Sequence, residues 1–176
     1  MLQNLRLAKS KKGFAESAGK DLLPIFFLNL DKSADRRETL WKDYAALSDS
    51  LTSDLQLQRV SAVSTAEVES MLENNVLHFN EGFTLTHSER RDNAKKEQYS
   101  FHEAACTLSH LKAIWQAYNA GHEMVLIIED DAMLTSDFFE NWKDSAEQAP
   151  DDWQILQWTT SNIAINKRYL HKNNDY

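Results

Sequence analysis

The chain has 176 residues, 42% of them hydrophobic and 26% charged, with five Trp and eight Phe. That is enough for one domain with a sizeable core, and it excludes wholesale disorder. The formal net charge of −8 argues against nucleic acid as the main partner, because phosphate binding needs a basic surface.

In chain order, residues 1–22 carry Lys9, Lys11, Lys12 and Lys20 but no apolar core of a signal peptide, and read as a polar N-terminal arm. Glu16 and Asp21 speak against an organelle-targeting role. After Pro24, the apolar run Ile25 to Leu30 predicts a buried strand. Leu40, Trp41, Tyr44, Leu47 and Leu51 then form a helical stripe. Leu55 to Val63 predicts a second strand. Ser64 and Glu67 have the spacing of a capping box ahead of a helix bearing Val68, Met71 and Leu72.

Residues 78–99 are polar and read as a long exposed loop, of the kind that is either functional or simply solvated. Ser100 and Glu103 form a second capping box. The helix behind it shows a stripe of Phe101, Ala105, Leu108, Leu111, Trp115 and Tyr118, and should stop at Gly121. Met124 to Ile128 is apolar throughout, which predicts a strand covered on both faces, as in parallel sheets. A helix near Ser136 and a strand from Trp153 to Thr160 complete the pattern. Strands alternating with helices predict an α/β, doubly wound, mostly parallel sheet.

Ligands of open α/β sheets collect at the carboxyl ends of the strands. Glu129-Asp130-Asp131 lies at the end of the Met124–Ile128 strand, and alternation along an extended chain would put Glu129 and Asp131 on one face. Adjacent carboxylates repel, and a hard divalent cation, Mn²⁺ or Mg²⁺, relieves that repulsion with oxygen ligands. The plainer reading is that they cap the next helix or face water. An Asp-x-Asp phosphatase fits poorly, since Glu129 stands at the nucleophile position and the cluster comes late in the chain.

Ser109 and His110 are adjacent on a helix, point in different directions and cannot form a hydrolase pair. Glu103, Cys106 and His110 lie three and four residues apart on one helical face. Zinc there lacks a fourth ligand. Capping for Glu103, packing for Cys106 and a polar contact for His110 are the favoured roles. Cys106 is the single cysteine, which precludes an internal disulfide and fits a reducing compartment. No apolar run reaches the roughly 20 residues of a membrane span. The expected location is cytoplasmic or peripheral to a membrane.

Three segments taken in order resemble glycosyltransferase family 25, the lipooligosaccharide galactosyltransferases and their collagen-modifying relatives. They are Phe27-Leu28-Asn29-Leu30-Asp31 with Asp35-Arg36-Arg37, then Cys106-Thr107-Leu108-Ser109-His110-Leu111, then Leu126-Ile127-Ile128-Glu129-Asp130-Asp131 with Asp152-Trp153 downstream. The resemblance implies a GT-A, Rossmann-like fold and inverting, Mn²⁺-dependent transfer of galactose from UDP-galactose to a hydroxyl of a glycan or glycoconjugate. It implies donor contacts from Asn29, Asp31, Arg36, Ser109, His110 and Asp130, and metal ligation by Glu129 and Asp131; for Arg36 the plainer reading is a surface pair with Asp31 or Asp35. The family pattern has Gly-Glu-x-Gly-Cys where this chain has His102-Glu103-Ala104-Ala105-Cys106, so both glycines are lost. Family members also continue past the Asp-Trp strand. Residues 23–176 are therefore expected to be the donor-binding portion, incomplete at the C-terminus. The alternative from another class is a non-catalytic module that binds a nucleotide sugar or a partner.

Overall fold

β1 (Pro24–Asn29) is the axis of the fold, and all six of its residues are buried. In the computed structural model, which describes residues 23–48, 56–79, 84–86, 98–150 and 153–157, β1 lies between two parallel neighbours. β2 (Gln56–Ser61) flanks it on one side, with Phe27 opposite Arg59 and Asn29 opposite Ser61. β5 (Leu126–Glu129) flanks it on the other, with Phe27 opposite Ile128 and Leu28 opposite Glu129. Strand alternation sends Ile25 and Phe27 to one face and Phe26 and Leu28 to the other.

Each face has its own cover. On the first, Leu40 of α1 (Ala34–Ser48) and Phe139 and Trp142 of α4 (Ser136–Glu147) pack on Ile25 and Phe27, with Tyr44 and Leu47 alongside. On the second, Ala113 and Ala117 of α3 (Phe101–Asn119) pack on Phe26, Leu28 and Val60. This two-sided cover is what the apolarity of β1 predicts. A third cluster joins Val68 of α2 (Thr65–Glu73) to Val63 and Ala105. Together these make a mixed α/β fold built on a small parallel sheet.

The local signals read from sequence are in place. Both capping boxes form, Ser64 with Glu67 and Ser100 with Glu103, and Thr135 caps α4. α3 ends in a Schellman motif: Gly121, at φ +78°, donates to the Tyr118 carbonyl, and His122 donates to that of Ala117.

Four expectations change. The C-terminal half of the α3 stripe points outward, with Leu111, Trp115 and Tyr118 each more than half exposed. The inward face is instead Ala105, Ser109, Ala113 and Ala117, because small side chains let the helix axis approach the sheet. β5 is half-buried rather than covered on both faces, since among the described residues it pairs with β1 alone; the most buried strand is β1. Within 78–99, β3 (Thr84–Thr86) and β4 (Gln98–Ser100) pair in parallel as a separate two-stranded sheet, so that segment contributes two short strands rather than loop throughout. Trp153 to Gln157 is not a strand. The arm at 1–22, Leu51, Leu55 and residues 158–176 lie outside the described residues.

Candidate functional site at the carboxyl ends of β1 and β5

The chain runs from β1 to β2 on one side, then returns to place β5 on the other. The crevice between the carboxyl ends of β1 and β5 is thus the topological switch point, where open α/β sheets seat their ligands. Asn29 closes β1 there, at 1% exposure. Its Nδ2 donates to the Ser33 carbonyl at 2.9 Å and to Asp130 Oδ2 at 2.7 Å. Its Oδ1 accepts from Arg37 at 3.3 Å and from Arg59 Nε at 3.1 Å. Both ends of the buried amide are satisfied, so Asn29 ties α1, β2 and the β5 exit into one frame.

Asp130, with its side chain 11% exposed, also accepts from Arg36 Nη1 at 3.1 Å. Arg36 lies 3.8 Å from Asp131 as well. Its partners are therefore Asp130 and Asp131, not the Asp31 or Asp35 expected from sequence proximity. Those carboxylates raise the Arg36 guanidinium above its ordinary value, so it stays charged. Asp31 instead pairs with Arg59 and accepts from Ser61 Oγ at 2.9 Å. The Arg59 hydrogen bond, then that of Ser61, holds its carboxyl below the usual range.

β5 ends at Glu129. The chain turns at once, with Ala132 N–H bonded to the Glu129 carbonyl at 3.1 Å. The alternation that would place Glu129 and Asp131 on one face therefore stops short. Glu129 follows Ile127 toward α3 and lies 3.8 Å from Cys106 Sγ. Asp131, 65% exposed, sits on the α1 side beside Arg36. On α3, His110 Nδ1 is 3.0 Å from the Cys106 carbonyl and 3.7 Å from Cys106 Sγ. Burial, then the charge of Glu129, pushes the Cys106 thiol up.

Ser109 is not open to a ligand. At 3% exposure, its hydroxyl donates to the Ala105 carbonyl at 2.7 Å and accepts from Val63 N–H at 2.8 Å. It positions the loop after β2. Among the residues expected from sequence, Asn29, Arg36, Asp130 and Asp131 come together as one linked group. Asp31 joins them through Arg59 and Asn29. Glu129 and His110 form a neighbouring group on the α3 side.

Sequence reasoning passed over Arg59 and Lys112, whose Nζ donates to the Ser61 carbonyl at 2.7 Å, and gave Arg37 no role of its own. Arg59 had one signal: a cation inside a short strand, between the buried Leu57 and Val60. Lys112 had none, because its contact spans 51 residues.

A family model described as glycosyltransferase family 25 (LPS biosynthesis protein) matches residues 22–175. The chain belongs to glycosyltransferase family 25. Membership carries a glycosyltransferase activity in lipopolysaccharide biosynthesis, and with it a nucleotide-sugar donor and an acceptor. No curated protein and no solved structure gave a match. Among the described residues, no helix of this family 25 chain is long and apolar enough to cross a membrane.

Proposed function

We propose that the β1/β5 crevice is the donor site of an inverting, GT-A-type transferase that moves a hexose, galactose from UDP-galactose, to a hydroxyl of a glycan or glycoconjugate. The observation that carries this reading is the Asn29–Asp130 hydrogen bond, which pins an acidic turn across the switch point with Arg36 at its rim. A diphosphate would replace Asp130 and Asp131 as the partner of Arg36, whose guanidinium is largely exposed, while Asp130 keeps its hydrogen bond from Asn29. Asp130, held by Asn29, would accept from the ribose hydroxyls. Asp31, Ser109 and His110 act at one remove, the first two as positioning groups.

Mn²⁺ or Mg²⁺ fits the donor set. Among the described residues Asp131 is an exposed carboxylate whose ion pair is to Arg36 alone, at 3.8 Å, and such ions bind through one or two carboxylates plus substrate phosphates. Asp131 would hold it together with the donor's phosphates, while Glu129, expected from sequence as its partner ligand, is turned toward α3. When bound, the ion would neutralise charge developing on the departing nucleotide diphosphate. The reaction is assigned to the cytoplasm or a membrane's periphery, in keeping with a lone, unpaired cysteine.

The test is release of UDP from UDP-galactose in the presence of a lipopolysaccharide core acceptor, with UDP-glucose as the competing donor. Acceptor-dependent turnover supports the reading. Donor binding with no turnover assigns the chain to the non-catalytic alternative, and no binding of either donor removes the proposal.

A further inference from the structure

We propose a second metal site, for a thiophilic divalent ion such as Zn²⁺, formed by Cys106 and His110 of α3 and Glu129 at the end of β5. A Cys106 sulfur, a His110 ring nitrogen and a Glu129 carboxylate oxygen all lie within 4.8 Å of one another. They come from two elements that the fold brings together, since residues 106 and 110 share a helical face and alternation along β5 turns Glu129 toward it. Glu103, the other candidate on that helical face, is held in the capping box with Ser100, and Glu129 takes its place as the third ligand.

The sulfur and the carboxylate are spaced close to what a bound ion requires. Zinc bond lengths of about 2.3 Å to sulfur and 2.0 Å to oxygen, at the tetrahedral angle, put those two ligand atoms about 3.5 Å apart. Cys106 Sγ and Glu129 Oε1 are 3.8 Å apart. The imidazole is also held in a ligating form. Its Nδ1 faces the Cys106 carbonyl oxygen at 3.0 Å, and two lone pairs at that distance would repel, so Nδ1 carries the proton and donates. Nε2 is left with the lone pair for the ion; because Nδ1 is the nitrogen 3.7 Å from Cys106 Sγ, binding requires the His110 side chain to turn so that Nε2 meets the metal. Three protein ligands leave a fourth position for water or a substrate oxygen, the pattern of open rather than purely structural zinc sites. The donor set separates this ion from the Mn²⁺ of the proposed donor site, because thiolate and imidazole select softer metals than carboxylate and phosphate do.

The test uses the full chain, stripped with a chelator and titrated with Co²⁺ as a spectroscopic stand-in for zinc. Cys106 is the single cysteine, so any thiolate-to-cobalt charge-transfer band in the near ultraviolet reports this residue. The expected result is such a band, saturating at one Co²⁺ per chain and erased by equimolar Zn²⁺. Cys106→Ser should abolish it. His110→Gln and Glu129→Gln should each weaken Co²⁺ binding beyond the roughly ten- to hundredfold that outer-shell losses cost. Asp131→Asn should leave the band in place while Cys106→Ser leaves Mn²⁺-dependent donor binding in place, so the two metal assignments stand or fall separately. Absence of the band in the wild-type chain, or a band indifferent to both His110→Gln and Glu129→Gln, overturns the proposal.

Discussion

Asn29→Asp is the sharpest probe of the frame around the crevice. The substitution changes no volume, so it leaves no cavity and isolates the hydrogen bonding. It replaces Nδ2, which donates to Asp130 Oδ2 at 2.7 Å and to the Ser33 carbonyl at 2.9 Å, with an oxygen that can donate to neither. A net loss of about 1.5–3 kcal/mol for the charged acceptor and about 0.5–1.5 for the neutral one follows. Better pairing of the new carboxylate with Arg37 and Arg59 offsets part of this, leaving a destabilisation of about 1–4 kcal/mol near neutral pH. The cost should depend on pH. Two carboxylates in contact must share a proton, which raises the titration of the folded pair above the unfolded value of about 4. A raised group stabilises fully below its unfolded pKa and loses that contribution as pH rises through the folded one. Urea unfolding followed by tryptophan fluorescence should therefore show a smaller penalty at about pH 5 than at about pH 8. Equal penalties at the two pH values would mean that Asn29 and Asp130 do not meet.

The other substitutions test single contacts. Ser109→Ala leaves the buried Val63 N–H without its acceptor and should lower stability by about 1–3 kcal/mol, while nucleotide-sugar affinity in the folded protein changes little by calorimetry. Ala113→Leu, against Phe26 and Leu28, should cost about 1–3 kcal/mol by overpacking, whereas Trp115→Ala, on the exposed side, should stay within about 0.5 kcal/mol; the reverse order in thermal unfolding would restore the apolar stripe as the packed face. Ser64→Ala should cost about 0.5–2 kcal/mol. The Ser64 backbone N–H, then its hydroxyl, hold the Glu67 carboxyl below the usual range. Alanine keeps the first and loses the second, so the hydroxyl's share of the penalty is full above about pH 4 and shrinks as pH falls through the lowered value; a penalty that grows on acidification would exclude the capping box.

The capping boxes and β1 were legible because each is set by residues within a few positions of one another. Ile25 to Leu28 are apolar at every position, which leaves no alternative to two-sided cover. α3 was half legible. Phe101, Ala105 and Leu108 do pack inward, but beyond them two stripes share a helical period, and bulk was weighed over fit. Contact with a sheet selects Ala113 and Ala117, and the larger Trp115 and Tyr118 stack on each other at the surface. The acidic strand end was legible as a location but not as a geometry. Where a strand ends decides which way Asp131 points, and one turn after Glu129 separates the two carboxylates. Arg59 and the Cys106–Glu129 contact depend on register between distant segments, which no local pattern encodes.

The central claim is that the acidic turn after β5 holds a metal against a nucleotide-sugar donor, and Asp131 tests it most directly. Asp131→Asn exchanges a charged oxygen ligand for a neutral one, at a position 65% exposed where folding should be unaffected. Calorimetric titration of UDP-galactose with and without Mn²⁺, on the wild-type and Asp131→Asn chains, should show metal-dependent binding weakened by about 1–3 kcal/mol in the variant. Equal affinities in the two proteins, with Mn²⁺ present, would contradict the assignment.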